Sequence, residues 1–265
     1  MKQQNQINAG FGSNEVPEGY VQLNVAGKTA IARQWAEQAI SEILAAQTLH
    51  AWAADRQPHE KMIGRGINYS VILPAGREPE SNTEVVIRRN RHGGLLRAVT
   101  GELFLAPSRA PLELAIYLRL AAAGVNTPEL IAFATYPALC NLVRCDVVTR
   151  RLPPGGDFPD IWNKSGTESR HALLTAAAQL LKDLTEAGAW HADLNLKNIY
   201  IACQENRMTP YILDIDRVTF PANDDIAGKN FSRLARSARK WRDKWGLDFS
   251  EKDIERLTAL TKEIH

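Results

Sequence analysis

His191-Ala192-Asp193-Leu194-Asn195-Leu196-Lys197-Asn198, running on into Ile199-Tyr200-Ile201, is the most informative stretch of this chain. Its Asp193 and Asn198 stand five positions apart. It follows a helix-patterned segment and precedes two short strand-like runs, Ile199–Ala202 and Tyr211–Leu213, joined by a polar turn at Glu205–Arg207. Sixteen residues beyond Asn198 comes Asp214, within Ile212-Leu213-Asp214-Ile215-Asp216-Arg217. Each piece alone has an ordinary explanation: a loop that carries these residues by chance, and two aspartates that cap a strand. Both together, in this order and at a workable separation, are much harder to obtain by accident.

The pair of segments resembles the catalytic loop and metal-binding strand end of the protein-kinase-like fold, which read H-R-D-L-x-x-x-N, hairpin, D-F-G. Here Ala192 replaces the arginine, Ile215 the phenylalanine and Asp216 the glycine. Phosphoryl transfer needs a carboxylate beside the attacking hydroxyl and oxygen ligands for Mg²⁺ on the nucleotide phosphates. The resemblance therefore implies that Asp193 orients the acceptor hydroxyl and takes its proton, and that Asn198 and Asp214 hold metal. ATP and Mg²⁺ are the implied cofactors. Upstream, Gly64-Arg65-Gly66 sits where a phosphate-covering turn belongs, since glycines let backbone N–H groups approach phosphate oxygens. Val85-Val86-Ile87-Arg88 stands in the place of the V-A-I-K strand, with Arg88 for the lysine, and Glu113 in the following helix is its natural ion-pair partner. Arg88 remains a cation able to grip phosphates, although its fork is rigid and always ionised. The bland alternative for Arg88 and Glu113 is a surface ion pair that contributes little.

Only 51 residues follow Asp214, and no A-P-E occurs, so the activation segment and later helices of a protein kinase do not fit. Asn195 stands where Ser/Thr protein kinases carry lysine. A small molecule or glycolipid is the better acceptor. Arg88-Arg89-Asn90-Arg91-His92-Gly93-Gly94, Leu213-Asp214-Ile215-Asp216-Arg217 and Asn230-Phe231-Ser232-Arg233-Leu234-Ala235-Arg236-Ser237 narrow the choice. With Leu152-Pro153-Pro154-Gly155 they are similar to the lipopolysaccharide kinase family, most of all its 3-deoxy-D-manno-octulosonic acid (Kdo) kinase branch. The resemblance runs from about residue 60 to about residue 240. It implies transfer of the ATP γ-phosphate to the 4-OH of Kdo on lipid A, at the cytoplasmic face of the Gram-negative inner membrane. The implied partner is a Kdo-lipid A precursor or a related anionic glycolipid, with an anionic membrane surface as a further possibility and no nucleic acid. His92 and Ile215 depart from the family pattern and leave the choice of sugar open. The rivals are a heptose kinase, a kinase of a soluble small molecule, and a silent pseudokinase that binds a partner.

Outward from these motifs, the expected fold is α+β, protein-kinase-like and bilobal. Residues 1–149 form a β-rich N-lobe with a polar N-terminal tail, and residues 150–265 form a helical C-lobe. Strands are expected at Tyr20–Leu23, Thr29–Arg33, Tyr69–Leu73, Glu84–Arg89, Ile131–Tyr136 and Cys145–Thr149, with helices at Ala36–Ala54 and Pro111–Ala123. Ser165 and Glu168 have capping-box spacing at the start of a helix that Gly188 closes, and two more helices span Asn230–Trp245 and Ser250–Ile264. Lys229, Arg233, Arg236, Arg239, Lys240, Arg242 and Lys244 crowd the first of these, with only Asp243 opposing. Phe231, Leu234, Ala238, Trp241 and Trp245 make one apolar stripe along it, expected to pack on the core, while some of the arginines bind anions. His191 is expected to brace the loop, because Asp193 already holds the acid–base position. With 32 basic and 30 acidic residues there is no bulk charge to argue for nucleic acid. Three cysteines without a C-x-x-C suit a reducing compartment and are expected in or near the core. The N-terminal residues lack the apolar stretch of a secretory signal.

Overall fold

The computed structural model describes residues 16–56, 60–63, 67–74, 82–90, 102–105, 108–138, 140–205, 207–222 and 224–263. Gly64-Arg65-Gly66, Arg91 to Gly94 and most of the polar N-terminal tail lie outside the described residues. The chain divides into two compact units. One takes in the chain up to Ala115 and then Glu129–Arg151; the other takes in Ile116–Pro128 and everything from Leu152 onward.

The first unit is built on one antiparallel sheet. Its strands are β1 (Tyr20–Val25), β2 (Lys28–Arg33), β3 (Glu60–Ile63), β4 (Ile67–Leu73), β5 (Thr83–Arg89), β6 (Phe104–Leu105), β7 (Leu130–Pro137) and β8 (Leu142–Arg150). The order is β1-β2-β7-β8-β5-β4-β3, with β6 paired to β8. Alternation sets the faces: Val85 and Ile87 of β5 are wholly buried, while Glu84 and Arg88 point to the other side. The buried face meets α1 (Glu37–Ala46) and α2 (Leu49–Asp55) through Ile40, Leu44 and Leu49. Each such fully buried aliphatic side chain contributes roughly 2 kcal/mol. The single helix expected over Ala36–Ala54 is thus two. Thr48 ends the first and caps the second, its Oγ1 accepting from the Ala51 N–H at 3.2 Å. β-Branched Thr with an N-cap side chain starts a helix better than it continues one.

Asp146, wholly buried in β8, ties these layers together. It accepts from the His50 N–H at 2.9 Å and from Arg89 Nε at 3.2 Å, and Arg89 also reaches Glu102 at 3.0 Å. Burial pushes the neighbouring Cys145 thiol up to about 12, so it is an inert core sulfur. Cys140 and Cys203 are exposed, against the expectation that all three lie in or near the core.

The second unit is mainly helical. It holds α4 (Phe158–Lys164), α5 (Thr167–Glu186), α6 (Ile226–Trp245) and α7 (Glu251–Glu263). Two small sheets accompany them: β10 (Trp190–His191) with β13 (Val218–Thr219), and β12 (Arg207–Ile212), β11 (Ile199–Gln204) and β9 (Gly155–Asp157) in that order. The Leu-Ala stripe of α5, including Leu174, Leu181 and Leu184, is buried. The capping box expected at Ser165 is not formed. The N-cap of α5 is Gly166 without a side-chain cap, and Ser165 Oγ donates back to the Ile161 C=O at 2.8 Å. A short helix, α4, ends there and claims the serine. The Gly155-Gly156 pair lies in the edge strand β9, and a Cβ at Gly155 would stand 2.0 Å from the Ile201 carbonyl oxygen. Glycine is required there by the close backbone approach. The α+β expectation, β-rich first and helical second, is what the elements show.

Candidate active site

The loop between β10 and β11 is held from three sides. His191 is wholly buried. Its Nδ1 accepts from the Asp193 N–H at 3.2 Å, so Nε2 carries the proton and donates to the Leu213 C=O at 3.2 Å. Burial lowers the His191 pKa, which keeps the ring neutral in this bracing tautomer. Its own N–H donates to Asn230 Oδ1 of α6 at 3.0 Å, and Asn230 Nδ2 donates to the Ala189 C=O at 2.8 Å. The bracing role expected for His191 is the one it has. Leu194 and Leu196 are buried, and the Leu196 N–H donates to Ser237 Oγ at 3.1 Å. Alternate loop side chains are thereby anchored, and Asp193, Asn195 and Lys197 are left outward.

The Asp193 carbonyl accepts from Asn195 Nδ2 and Asn198 Nδ2, each at 3.0 Å. This fixes the orientation of the Asn198 amide: its nitrogen is engaged in the loop and its oxygen is the atom left for a ligand. The Leu213 N–H donates to the Asn198 C=O at 2.8 Å, and Ile199 pairs with Ile212. The hairpin β11–β12 therefore returns the chain so that Asp214 follows directly on a residue bonded to Asn198. Asp214 sits in the left-handed region, φ 55° and ψ 46°, and is exposed, while Ile215 after it is buried. Asp is one of the few non-glycine residues that tolerate this conformation. Asp193, Asn198 and Asp214 are thus brought together within the second unit. An amide oxygen and a carboxylate are hard donors of the kind Mg²⁺ takes. Among the described residues no group of three or more His, Cys, Asp and Glu is placed to hold a metal ion.

Asp193 has a partner that sequence reasoning did not foresee. Its Oδ1 accepts from Arg233 Nη2 of α6 at 2.8 Å. Arg233 is three residues after Asn230, on the same helix face, and Asn230 binds the start of the loop, a placement that only the packed helix reveals. Beside this pair lies a cavity of about 520 Å³, lined by Lys197, Arg236 and Lys240 as well as Asp193 and Arg233. Trp241 and Trp245, ring centroids 4.5 Å apart, form its far end. Four cations against one carboxylate give it a net positive lining. The apolar stripe of α6 divides here: Leu234, Ala235 and Ala238 are buried, but Trp241 is half-buried and Trp245 is 55% exposed. The expectation that the stripe as a whole packs on the core is corrected accordingly. Arg239 and Arg242 are not free cations either. Glu251 of α7 bonds both, at 2.9 and 2.7 Å, and Asp243, the acid the sequence pointed to, also accepts from Arg242 Nε at 3.0 Å.

In the first unit, Arg88 Nη2 donates to Glu113 Oε1 of α3 (Ala110–Ala122), and Nη1 to Asn90 Oδ1 at 2.6 Å. Glu113 is buried, so this is a half-buried pair and not the surface pair of the bland alternative. Gly64, Arg65 and Gly66 lie outside the described residues.

Residues 42–260 match the model of the "Lipopolysaccharide kinase (Kdo/WaaP) family". The chain belongs to this family. Its members are lipopolysaccharide kinases, which makes the chain a phosphotransferase. A 3-deoxy-D-manno-octulosonic acid kinase of Vibrio vulnificus is 28% identical over 211 residues, covering 78% of this chain and 84% of that one. The namesake enzyme of Photobacterium damsela subsp. piscicida is 26% identical over 182 residues, 67% and 74% of the two chains. That of Haemophilus influenzae strain PittGG is 23% identical over 208 residues, 77% and 86%. Among solved structures, WaaP in complex with acyl carrier protein aligns with a TM-score of 0.49 at 15% identity, covering 82% of this chain and 83% of that one.

Proposed function

We propose that this kinase transfers the γ-phosphoryl group of ATP to the 4-OH of Kdo on a lipid A precursor. The observation that carries the reading is that the loop bonds Asn198 both to Asp193 and to Leu213, the residue before Asp214, while Asp193 itself lines a cationic cavity that also holds Trp241 and Trp245. Asp193 faces that cavity and is the base: it receives the hydroxyl proton as the sugar oxygen bonds to phosphorus and the bond to the ADP oxygen breaks. Asn198 and Asp214 are the metal ligands, and Mg²⁺ when bound neutralises charge on the nucleotide phosphates. Arg88, which donates to Glu113 within the first unit, is the cation assigned to nucleotide phosphate.

The acceptor reading rests on charge and length. From Arg233 to Trp245, α6 runs about 18 Å, long enough to bind more than the sugar that reacts. Lys197, Arg236 and Lys240 suit the phosphates and carboxylates of a Kdo-bearing glycolipid, and paired indoles suit the faces of sugar rings. Among the described residues no helix is long and apolar enough to cross a membrane. An exposed Trp245 on a basic helix fits peripheral contact with the cytoplasmic face of the inner membrane, where such a precursor is presented. Retention of the base and both metal-ligand candidates speaks against a silent pseudokinase.

Mass spectrometry of a Kdo-lipid A precursor incubated with enzyme, ATP and Mg²⁺ tests the reading. One added phosphoryl group is expected. Asp193→Asn should reduce its formation by about 100-fold or more with ATP binding kept; undiminished turnover by that variant refutes the base assignment.

A further inference from the structure

Arg233 is placed with unusual firmness for a half-exposed cation. One turn before it, wholly buried Asn230 bonds the His191 N–H at 3.0 Å. One turn after it, Ser237 Oγ accepts from the Leu196 N–H at 3.1 Å. The helix is thus pinned to both ends of the loop that carries Asp193, and Arg233 projects between the pins. Its guanidinium has five N–H donors on a planar fork. Among the described residues it makes one hydrogen bond, to Asp193 Oδ1 at 2.8 Å. Side-chain exposures of 37% for Arg233 and 42% for Asp193 leave both open to the cavity.

We propose that Arg233 is the specificity-determining residue for a carboxylate on the acceptor sugar. The inference rests on the reading of the acceptor as Kdo. One edge of the guanidinium orients Asp193 through Oδ1 and leaves Oδ2 for the hydroxyl proton. The remaining N–H groups take the sugar's own carboxylate as a two-point clamp, the geometry in which arginine and carboxylate pair best. In a 2-ulosonic acid the carboxylate is borne by the anomeric carbon, two ring positions from the 4-OH. One guanidinium therefore sets both groups at once, the carboxylate on itself and the hydroxyl on its partner aspartate. A neutral heptose has no group to offer this clamp. Lys197, Arg236 and Lys240, farther along the cavity, remain for the other anionic groups of the glycolipid.

The test compares two acceptors, the Kdo-lipid A precursor and the same molecule with its Kdo carboxyl converted to the carboxamide. Wild-type enzyme should prefer the carboxylate by about 10- to 100-fold in kcat/KM, the value of a charge-assisted contact. Arg233→Gln should bring that ratio near unity, and Arg233→Lys, which keeps the charge without the fork, should fall between. Lys244→Gln, on the same helix but outside the cavity, should leave the ratio as it is. If Arg233→Gln turns over too slowly, the ratio of dissociation constants, read from the fluorescence of Trp241 and Trp245, replaces it with the same expectation. A ratio preserved in Arg233→Gln overturns the inference, as does a ratio lost in Lys240→Gln but not in Arg233→Gln. Equal use of both acceptors by wild type overturns the inference alone and leaves the Kdo reading standing. Phosphorylation of neither acceptor overturns both.

Discussion

Asn230 has zero exposure, and both ends of its amide are engaged by backbone: the oxygen by the His191 N–H, the nitrogen by the Ala189 carbonyl. Asn230→Leu would fill the same space and leave one buried donor and one buried acceptor without partners. Each such group costs about 1–3 kcal/mol, so denaturant unfolding should show a loss of about 2–6 kcal/mol. Transfer activity should drop further than the folded fraction does, because Arg233 is carried on the same turn. At this scale the sequence was informative about identity and silent about pairing. Spacing picked out Asp193, Asn198 and Asp214 as the proposed base and metal ligands, because phosphoryl transfer uses those residue types in that order. It could not pick out the contact of Arg233 with Asp193, because that contact joins residues forty positions apart through a helix whose rotation is set by packing.

At the scale of elements, α6 is fixed at its C-terminal half by α7. Glu251 bonds Arg239 and Arg242, and those two guanidinium groups hold its carboxyl at about 2, far below the usual range. A carboxyl lowered in the folded state stabilises above its unfolded value, about 4.3, and that contribution fades as pH falls toward 2. Wild type should therefore melt slightly above Glu251→Gln at neutral pH. The gap should shrink with added salt, since the clamp is on the surface, and close as the pH is taken down through this window. A gap that widens in acid would contradict this account. Hydrophobic period gave α5, α6 and α7 from the sequence, because an amphipathic face repeats. It missed the break at Thr48 and assigned Ser165 to the wrong helix, because one hydroxyl can serve either neighbour and tertiary packing chooses. The place of Gly155-Gly156 in strand β9 was not legible either, because it depends on the close approach of Ile201, a contact with no local signature.

At the scale of the molecule, the β-rich-then-helical order was legible because strand alternation and helix period change over near Arg151, where the two compact units also divide. The assignment of Ile116–Pro128 to the second unit was not, since it cuts through a continuous helix. Ligand linkage tests the proposed nucleotide chemistry at this scale. A ligand held at about 100 times its Kd adds about 2.7 kcal/mol to stability, so ATP with Mg²⁺ should raise the Tm by several degrees. In Asp214→Asn the Mg²⁺-dependent part of that rise should vanish, while the Tm without ligand changes little because Asn also tolerates the left-handed conformation. An unchanged Mg²⁺-dependent rise would remove Asp214 from the metal site.

The most direct measurement is the position of the phosphate in the product. The purified enzyme is incubated with ATP, Mg²⁺ and two precursors, one carrying Kdo and one without it, and the products are fragmented in the mass spectrometer with phosphorus NMR to place the ester. A single new phosphate on the 4-OH of Kdo, and none on the precursor lacking Kdo, is the predicted result. Phosphate appearing on the lipid A disaccharide, or an unmodified Kdo precursor beside consumed ATP, would contradict it.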